Sequence, residues 1–244
     1  MKSNFLLFYF LVTIGFVSCS DSNDNNPDPP KPTAADISGT VNLYDEGINE
    51  IDNADMLVKV EGSSIAATTD AEGRFRLLNV PFGDVTLVYE KTGYGTFKKY
   101  DIEHNDGDTF ITDSPSLGQK STTSITNLVV STGTGTVTVA ATTDPVANIG
   151  NTRYIRYFFS TQSNVSSENF DAVLDAFPAQ ITPYNLNLNS DSFEALGFES
   201  GQTVYVKCYG ESFWSNQYED PDLNTTVFPN VNANSAAAVS FVVP

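Results

Sequence analysis

Apolar and polar side chains alternate with a period of two over short runs through most of this chain. Met56, Val58 and Val60 alternate with Leu57, Lys59 and Glu61; Phe75 and Leu77 alternate with Arg74, Arg76 and Leu78; Val85, Leu87 and Tyr89 resume the pattern. Such runs read as half-buried β-strands. Between them Thr69-Asp70-Ala71-Glu72-Gly73 sets an Asp, which bonds its own backbone, three residues before a Gly that tolerates positive φ. This predicts a hairpin. Val80-Pro81-Phe82-Gly83 puts Pro second and Gly fourth in a further turn, so these strands are expected to fold back on one another.

The pattern lapses near Ser114-Pro115-Ser116-Leu117-Gly118 and resumes past Lys120, with strand candidates at residues 124–131, 135–142, 153–161, 183–188, 202–210 and 236–243. In the fifth, Val204, Val206 and Cys208 face a core while Tyr205, Lys207 and Tyr209 face out. One stretch has the helical period instead: Phe170, Val173, Leu174 and Phe177 fall at i, i+3, i+4 and i+7, with serines before and Pro178 after. A short amphipathic helix over residues 167–177, lidding the second unit, is expected. The chain thus reads as all-β, two tandem β-sandwiches over residues 36–120 and 121–244, the second with one short helix.

The series Val58, Val60, Gly62, Thr69, Asp70, Gly73, Phe75, Val80, Pro81, Gly83, Val85, Leu87, Gly93 and Tyr94 resembles the carboxypeptidase regulatory-like domain. That resemblance implies a seven-stranded transthyretin-like sandwich and, for function, an accessory module rather than a catalytic one. The same pattern is also compatible with a Cna-B-like adhesin domain. Residues Gly201 to Gly210 resemble strand F of a fibronectin type III domain, although Val204 stands where that family has its corner tyrosine and the second strand lacks its core tryptophan. An unrelated immunoglobulin-like sandwich stays open.

At the head of the chain, Lys2 precedes an almost uncharged run over residues 5–17, the length of a signal-peptide core and short for a membrane span. It ends at Phe16-Val17-Ser18-Cys19, which resembles a bacterial lipobox despite Phe16 in place of Leu. The resemblance implies lipidation at Cys19 and anchoring by two or more acyl chains. The run Ser20-Asp21-Ser22-Asn23-Asp24-Asn25-Asn26 looks like the surface-export signal of Bacteroidetes lipoproteins, implying an outer-membrane, surface-exposed location. Residues 1–18 are expected to be the signal peptide. Residues 19–35, rich in Asp, Asn and Pro, are expected to be a tether that cannot bury enough apolar surface to offset its ordering entropy.

Charge and chemistry narrow the function. Twelve Lys and Arg face 30 Asp and Glu, a net charge of -18, which repels nucleic acid. The single histidine, His104, is expected in an exposed loop, and three protein ligands for catalytic zinc cannot be assembled around it. No Gly-x-Ser-x-Gly elbow or phosphate-cradling loop occurs. Carboxylates such as Asp45-Glu46 and Glu219-Asp220 are adjacent by abundance, and the Asp/Asn-rich turns at residues 105–108 and 220–222 complete no recognised calcium loop. No catalytic residue, metal ligand or cofactor is therefore assigned. Phe213, Trp214, Asn216 and Tyr218 gather stacking rings and an amide in one short loop, the candidate ligand-binding residues for a glycan. The expected role is a non-catalytic, membrane-anchored binding or scaffolding accessory whose partner is a glycan or another outer-membrane protein. The alternative is a structural adhesin or fimbrial-type subunit that assembles by strand pairing through residues 236–243.

Overall fold

Residues 31–244 are described by a computed structural model. The expected signal peptide, Cys19 and most of the expected tether lie outside them. The first lobe is built from β1 (Ala34–Thr40), β2 (Asn42–Tyr44), β3 (Leu57–Val60), β4 (Ala66–Thr68), β5 (Arg74–Pro81), β6 (Gly83–Glu90), β7 (Phe97–His104), β8 (Thr109–Phe110) and β9 (Ser116–Gly118). One sheet runs β5-β1-β8 and the other β4-β3-β6-β7, with β2 paired to β9. Between them lies a core that includes Ile37, Phe75 and Leu77 from the first sheet and Val58, Leu87 and Tyr89 from the second. These are the alternating apolar positions of the sequence, each on the inner face of its strand.

The hairpin expected at residues 69–73 does not form. The Asp70 turn closes, with Gly73 N–H donating to the Asp70 carbonyl at 2.8 Å and the Asp70 carboxylate accepting from the amides of Glu72 and Arg74. Yet it carries the chain from β4 in one sheet to β5 in the other, and the turn at Val80-Pro81-Phe82-Gly83 crosses from β5 to β6. Both are corners. Phe75 and Leu77 gain more by facing Leu87 and Tyr89 across the core than their strands would gain by pairing side by side.

His104 is buried, contrary to the exposed loop expected for it. It ends β7 opposite Gly83, with Nε2 donating to the Val80 carbonyl at 3.1 Å, Nδ1 2.7 Å from the Thr109 hydroxyl, and Phe82 against its ring. The β5–β6 corner closes over it.

The second lobe comprises β10 (Ser124–Gly133), β11 (Thr136–Asp144), β12 (Arg153–Ser160), β13 (Ala172–Val173), β14 (Phe177–Ala179), β15 (Tyr184–Asn189), α1 (Ser190–Ala195), β16 (Thr203–Glu211), β17 (Tyr218–Asp220), β18 (Thr225–Val227) and β19 (Val239–Val242). Sheet β10-β11-β15 packs on sheet β13-β12-β16-β19, where β14 also pairs with β12. Val137, Val139, Tyr157, Phe159, Val204, Val206 and Cys208 fill the space between.

The expected helix at 167–177 is instead irregular chain with two short strands. Pairing with the edge of β12 makes Ala172, Val173 and Leu174 alternate between the main core and the opposite face, and the irregular chain on either side sends Phe177 to the core and Phe170 to the opposite face. The helix forms at Ser190 instead. Asn189 caps it by accepting from Ser192 N–H in a capping box, and Gly197, at φ 82°, follows its end. Tyr209, expected to face solvent, is buried with Phe158, Val165 and Phe228 in a smaller cluster on the outer face of the sheet.

The two lobes form one compact unit, Pro32–Pro244. Ala34 pairs with Pro81 at the far end of the first lobe, and β1 and β2 lead inward to Tyr44, which touches Trp214 of the second lobe. In that lobe β16 runs inward and β19 runs antiparallel to it, so Val243 bonds to Gly201 and Gln202 at the far end. The described chain therefore enters at one pole and leaves at the other.

Candidate binding site at the seam between the lobes

The loop after β16 does two jobs at once. Two of its polar side chains, Ser212 and Asn216, face inward and bond to the first lobe. Asn216, in the left-handed region at φ 54°, which Asn tolerates better than most residues, uses its buried amide in full. Its Oδ1 accepts from Gly118 N–H at 2.8 Å, and its Nδ2 donates to the Gly118 carbonyl at 3.0 Å and the Gly95 carbonyl at 3.3 Å. Asn230 answers from the next loop, accepting from Gly95 N–H at 2.9 Å and donating to the carbonyls of Gly118 and Trp214 at 3.0 and 2.8 Å. The backbones approach so closely that a Cβ at Gly95 would lie 2.4 Å from the Pro229 oxygen, and one at Gly118 2.5 Å from that of Trp214.

Beside this staple, Arg153 donates to Glu46 at 2.6 Å and to the hydroxyls of Thr122 and Thr123, while Glu46 also accepts from Thr122 N–H. With the Arg153 side chain only 10 % exposed, this is a partly buried, multiply bonded pair rather than a surface one. Behind it Arg156 meets Glu211 at 3.2 Å, with exposures of 5 % and 0 %. The guanidinium also donates to the Leu174 carbonyl and to Gln217, and lies 4.7 Å from the centre of the Phe228 ring. Burial pushes the Glu211 carboxyl up to about 7 against the pull of Arg156 and of the Ser212 amide.

The aromatic side chains of the loop do not stay together. Tyr218 packs on Phe97 and Tyr100 of the first lobe, and Tyr100 donates its hydroxyl to Asp220 at 3.0 Å. Trp214 stacks on Tyr44 with centroids 5.0 Å apart, Phe213 meets Trp214 edge-on at 5.1 Å, and Tyr154 meets Phe213 at 5.5 Å. The Trp214 Nε1 is buried and bonds to no atom of the described residues. Phe213 is 47 % exposed, and Tyr44, Trp214 and Tyr154 are half-buried.

Of the four residues expected to bind a ligand, Phe213 and Trp214 thus share one partly open row, whereas Asn216 and Tyr218 are committed to lobe docking. The row gains Tyr44 and Tyr154, which the sequence did not single out. They lie 110 residues apart and meet only because the lobes dock. Asp45, whose charge acts on Tyr154, and Glu50, 3.4 Å from the Tyr44 hydroxyl, edge the row with oxygen acceptors.

Asp220 accepts from Tyr100 and from the amides of Asp222 and Leu223, and Asp108 accepts from Asp36 N–H. Among the described residues no three His, Cys, Asp or Glu side chains are grouped to hold a metal.

No protein-family model matches the chain, and no curated protein matches it. Among solved structures it is similar to a candidate carbohydrate binding protein from Bacteroides uniformis ATCC 8492, at 14 % identity over 86 % of this chain and 99 % of that one, with a TM-score of 0.32. A DUF3823 family protein from Bacteroides ovatus ATCC 8483 matches at 13 % identity over 86 % and 100 %, TM-score 0.30. A type II cohesin–X-dockerin complex from Acetivibrio cellulolyticus matches at 21 % identity and TM-score 0.30, over 36 % of this chain, which spans 59 % of the chain it matches.

Proposed function

We propose that this chain is a non-catalytic surface lipoprotein, anchored in the outer membrane through Cys19, that acts as a binding accessory and takes a saccharide at the seam. The observation that carries this reading is the row Tyr44, Trp214, Phe213 and Tyr154. Its rings step along the seam at 5.0 to 5.5 Å and are edged by carboxylates, and Phe213 reaches furthest into solvent. Aromatic faces receive the C–H faces of pyranose rings, and neighbouring oxygens receive their hydroxyls. The docked lobes hold the row rigid, which lowers the ordering cost of binding. The strongly shifted carboxyl, Glu211, is sealed from solvent by its own Arg156, a structural arrangement rather than that of a general acid.

A glycan array with the wild type and Phe213→Ala tests the reading. Saccharide binding lost in the variant, with circular dichroism unchanged, supports it; no saccharide signal from the folded wild type refutes it. Anchoring is tested by fatty-acid labelling of wild type and Cys19→Ala.

One observation favours assembly as a second reading. Strand β19 lies at the edge of its sheet with Val242 57 % exposed. Concentration-dependent polymers in sedimentation, abolished by Val242→Lys, would support that role.

A further inference from the structure

Seven of the twelve cations of this protein, all four arginines among them, are paired with its own anions, and Lys207 lies over the Tyr209 ring. All four arginines are ion-paired: Arg74 with Asp70 and Glu72, Arg76 with Asp36, Arg153 with Glu46 and Arg156 with Glu211. Lys59, Lys98 and Lys99 are paired with Glu90, Glu61 and Asp113. At the seam the two guanidinium groups are nine-tenths buried or more, and Lys91 is turned onto the Ala54 carbonyl and the Tyr94 ring. Lys120, between the lobes, is exposed there. Against it stand Asp45, Glu50 and the net charge of -18.

Glycans bearing carboxylate or sulfate are held by free guanidinium forks or clustered amines. A cation already neutralised by a buried carboxylate cannot serve without breaking a pair that is costly to leave open. Stacking on a ring, by contrast, needs no charge on the ligand. We infer that the seam takes an uncharged polysaccharide and turns away uronate- and sulfate-bearing chains. The inference rests on the aromatic row being the ligand site.

Native gel retardation of the full chain tests it, using galactomannan and mixed-linkage β-glucan as neutral polymers and polygalacturonate and chondroitin sulfate as anionic ones. Gels are run at about 0.01 M and about 1 M ionic strength, across which the Debye length falls from about 30 to about 3 Å. The expected result is retardation by a neutral polymer, little changed by salt and weakened about tenfold or more in Phe213→Ala, the effect of losing one stacked ring.

Retardation by an anionic polymer that is lost in Phe213→Ala or Lys120→Ala overturns the charge inference while leaving the seam as a glycan site. Retardation by no polymer, or by a neutral one with Phe213→Ala unaffected, overturns the site itself and the inference with it. Near-ultraviolet circular dichroism of each variant confirms that the fold is retained.

Discussion

The amide nitrogen of Asn216 lies 3.1 Å from the amide oxygen of Asn230 and donates to it, both side chains being buried between the two lobes. Together they satisfy the backbone of Gly95 and Gly118 in the first lobe and of Trp214 in the second. The seam is therefore a small polar core whose members are mutually dependent.

Replacing Asn230 by Ala strands the Gly95 N–H and the Trp214 carbonyl in a buried setting. Each such group costs about 1–3 kcal/mol, so a loss of about 3 kcal/mol in unfolding free energy is expected. Urea titration measures it. The single Trp should report seam opening by a red-shifted emission below the main transition, and an unchanged midpoint would contradict the staple.

Gly95→Ala and Gly107→Ala separate close approach from mere glycine content. At Gly95 the new methyl meets the Pro229 carbonyl at 2.4 Å, whereas at Gly107 nothing lies within 4 Å. The first should cost about 2 kcal/mol or more through forced displacement of the backbone, the second less than about 0.5 kcal/mol. Paired thermal melts of the two variants decide it.

Glu211 gives stability a pH dependence of definite sign. Its carboxyl is raised by burial from 4.5 to about 7, so the folded chain holds the proton more tightly than the unfolded one. The stabilisation is complete below about 4.5 and is lost as pH rises through about 7. Asp171, lowered by bonds from Thr161 N–H and neighbouring hydroxyls, acts with the opposite sign and only at more acid pH. Denaturation midpoints should fall between about pH 4.5 and about pH 7 in the wild type, and the slope should flatten in Glu211→Gln; equal slopes would refute the assignment.

Asn189→Ala removes the cap of α1 and should cost about 1 kcal/mol. Asn189→Gly, which keeps the open backbone, should cost a few tenths. No loss in either variant, both of which lack the amide that accepts from Ser192 N–H, would mean that the cap hydrogen bond contributes nothing measurable.

The sequence made the strands of the second lobe legible because Val204, Val206 and Cys208, like Val137 and Val139, face one core at a two-residue spacing. It misled at Phe170 to Phe177, where apolar residues destined for two faces of a sheet fall by coincidence on one side of a helical wheel. The true helix carried its signal in Asn189 and Gly197, but at six residues it is too short for periodicity to mark. Turn chemistry located the Asp70 and Pro81 bends, yet a bend does not say whether its strands pair or face each other. Half of the expected binding loop is reassigned because burial of Asn216 and Tyr218 depends on Gly95, Gly118, Phe97 and Tyr100, partners about 100 residues away or more. Tyr44 and Tyr154 have no local mark at all.

Entry of the described chain at one pole and its exit at the other leave the aromatic row on the flank, midway between Ala34 and Val243. Immobilising the protein on a sensor chip or bead by either end should keep that flank clear of the support. Affinities measured head-down and tail-down ought to agree.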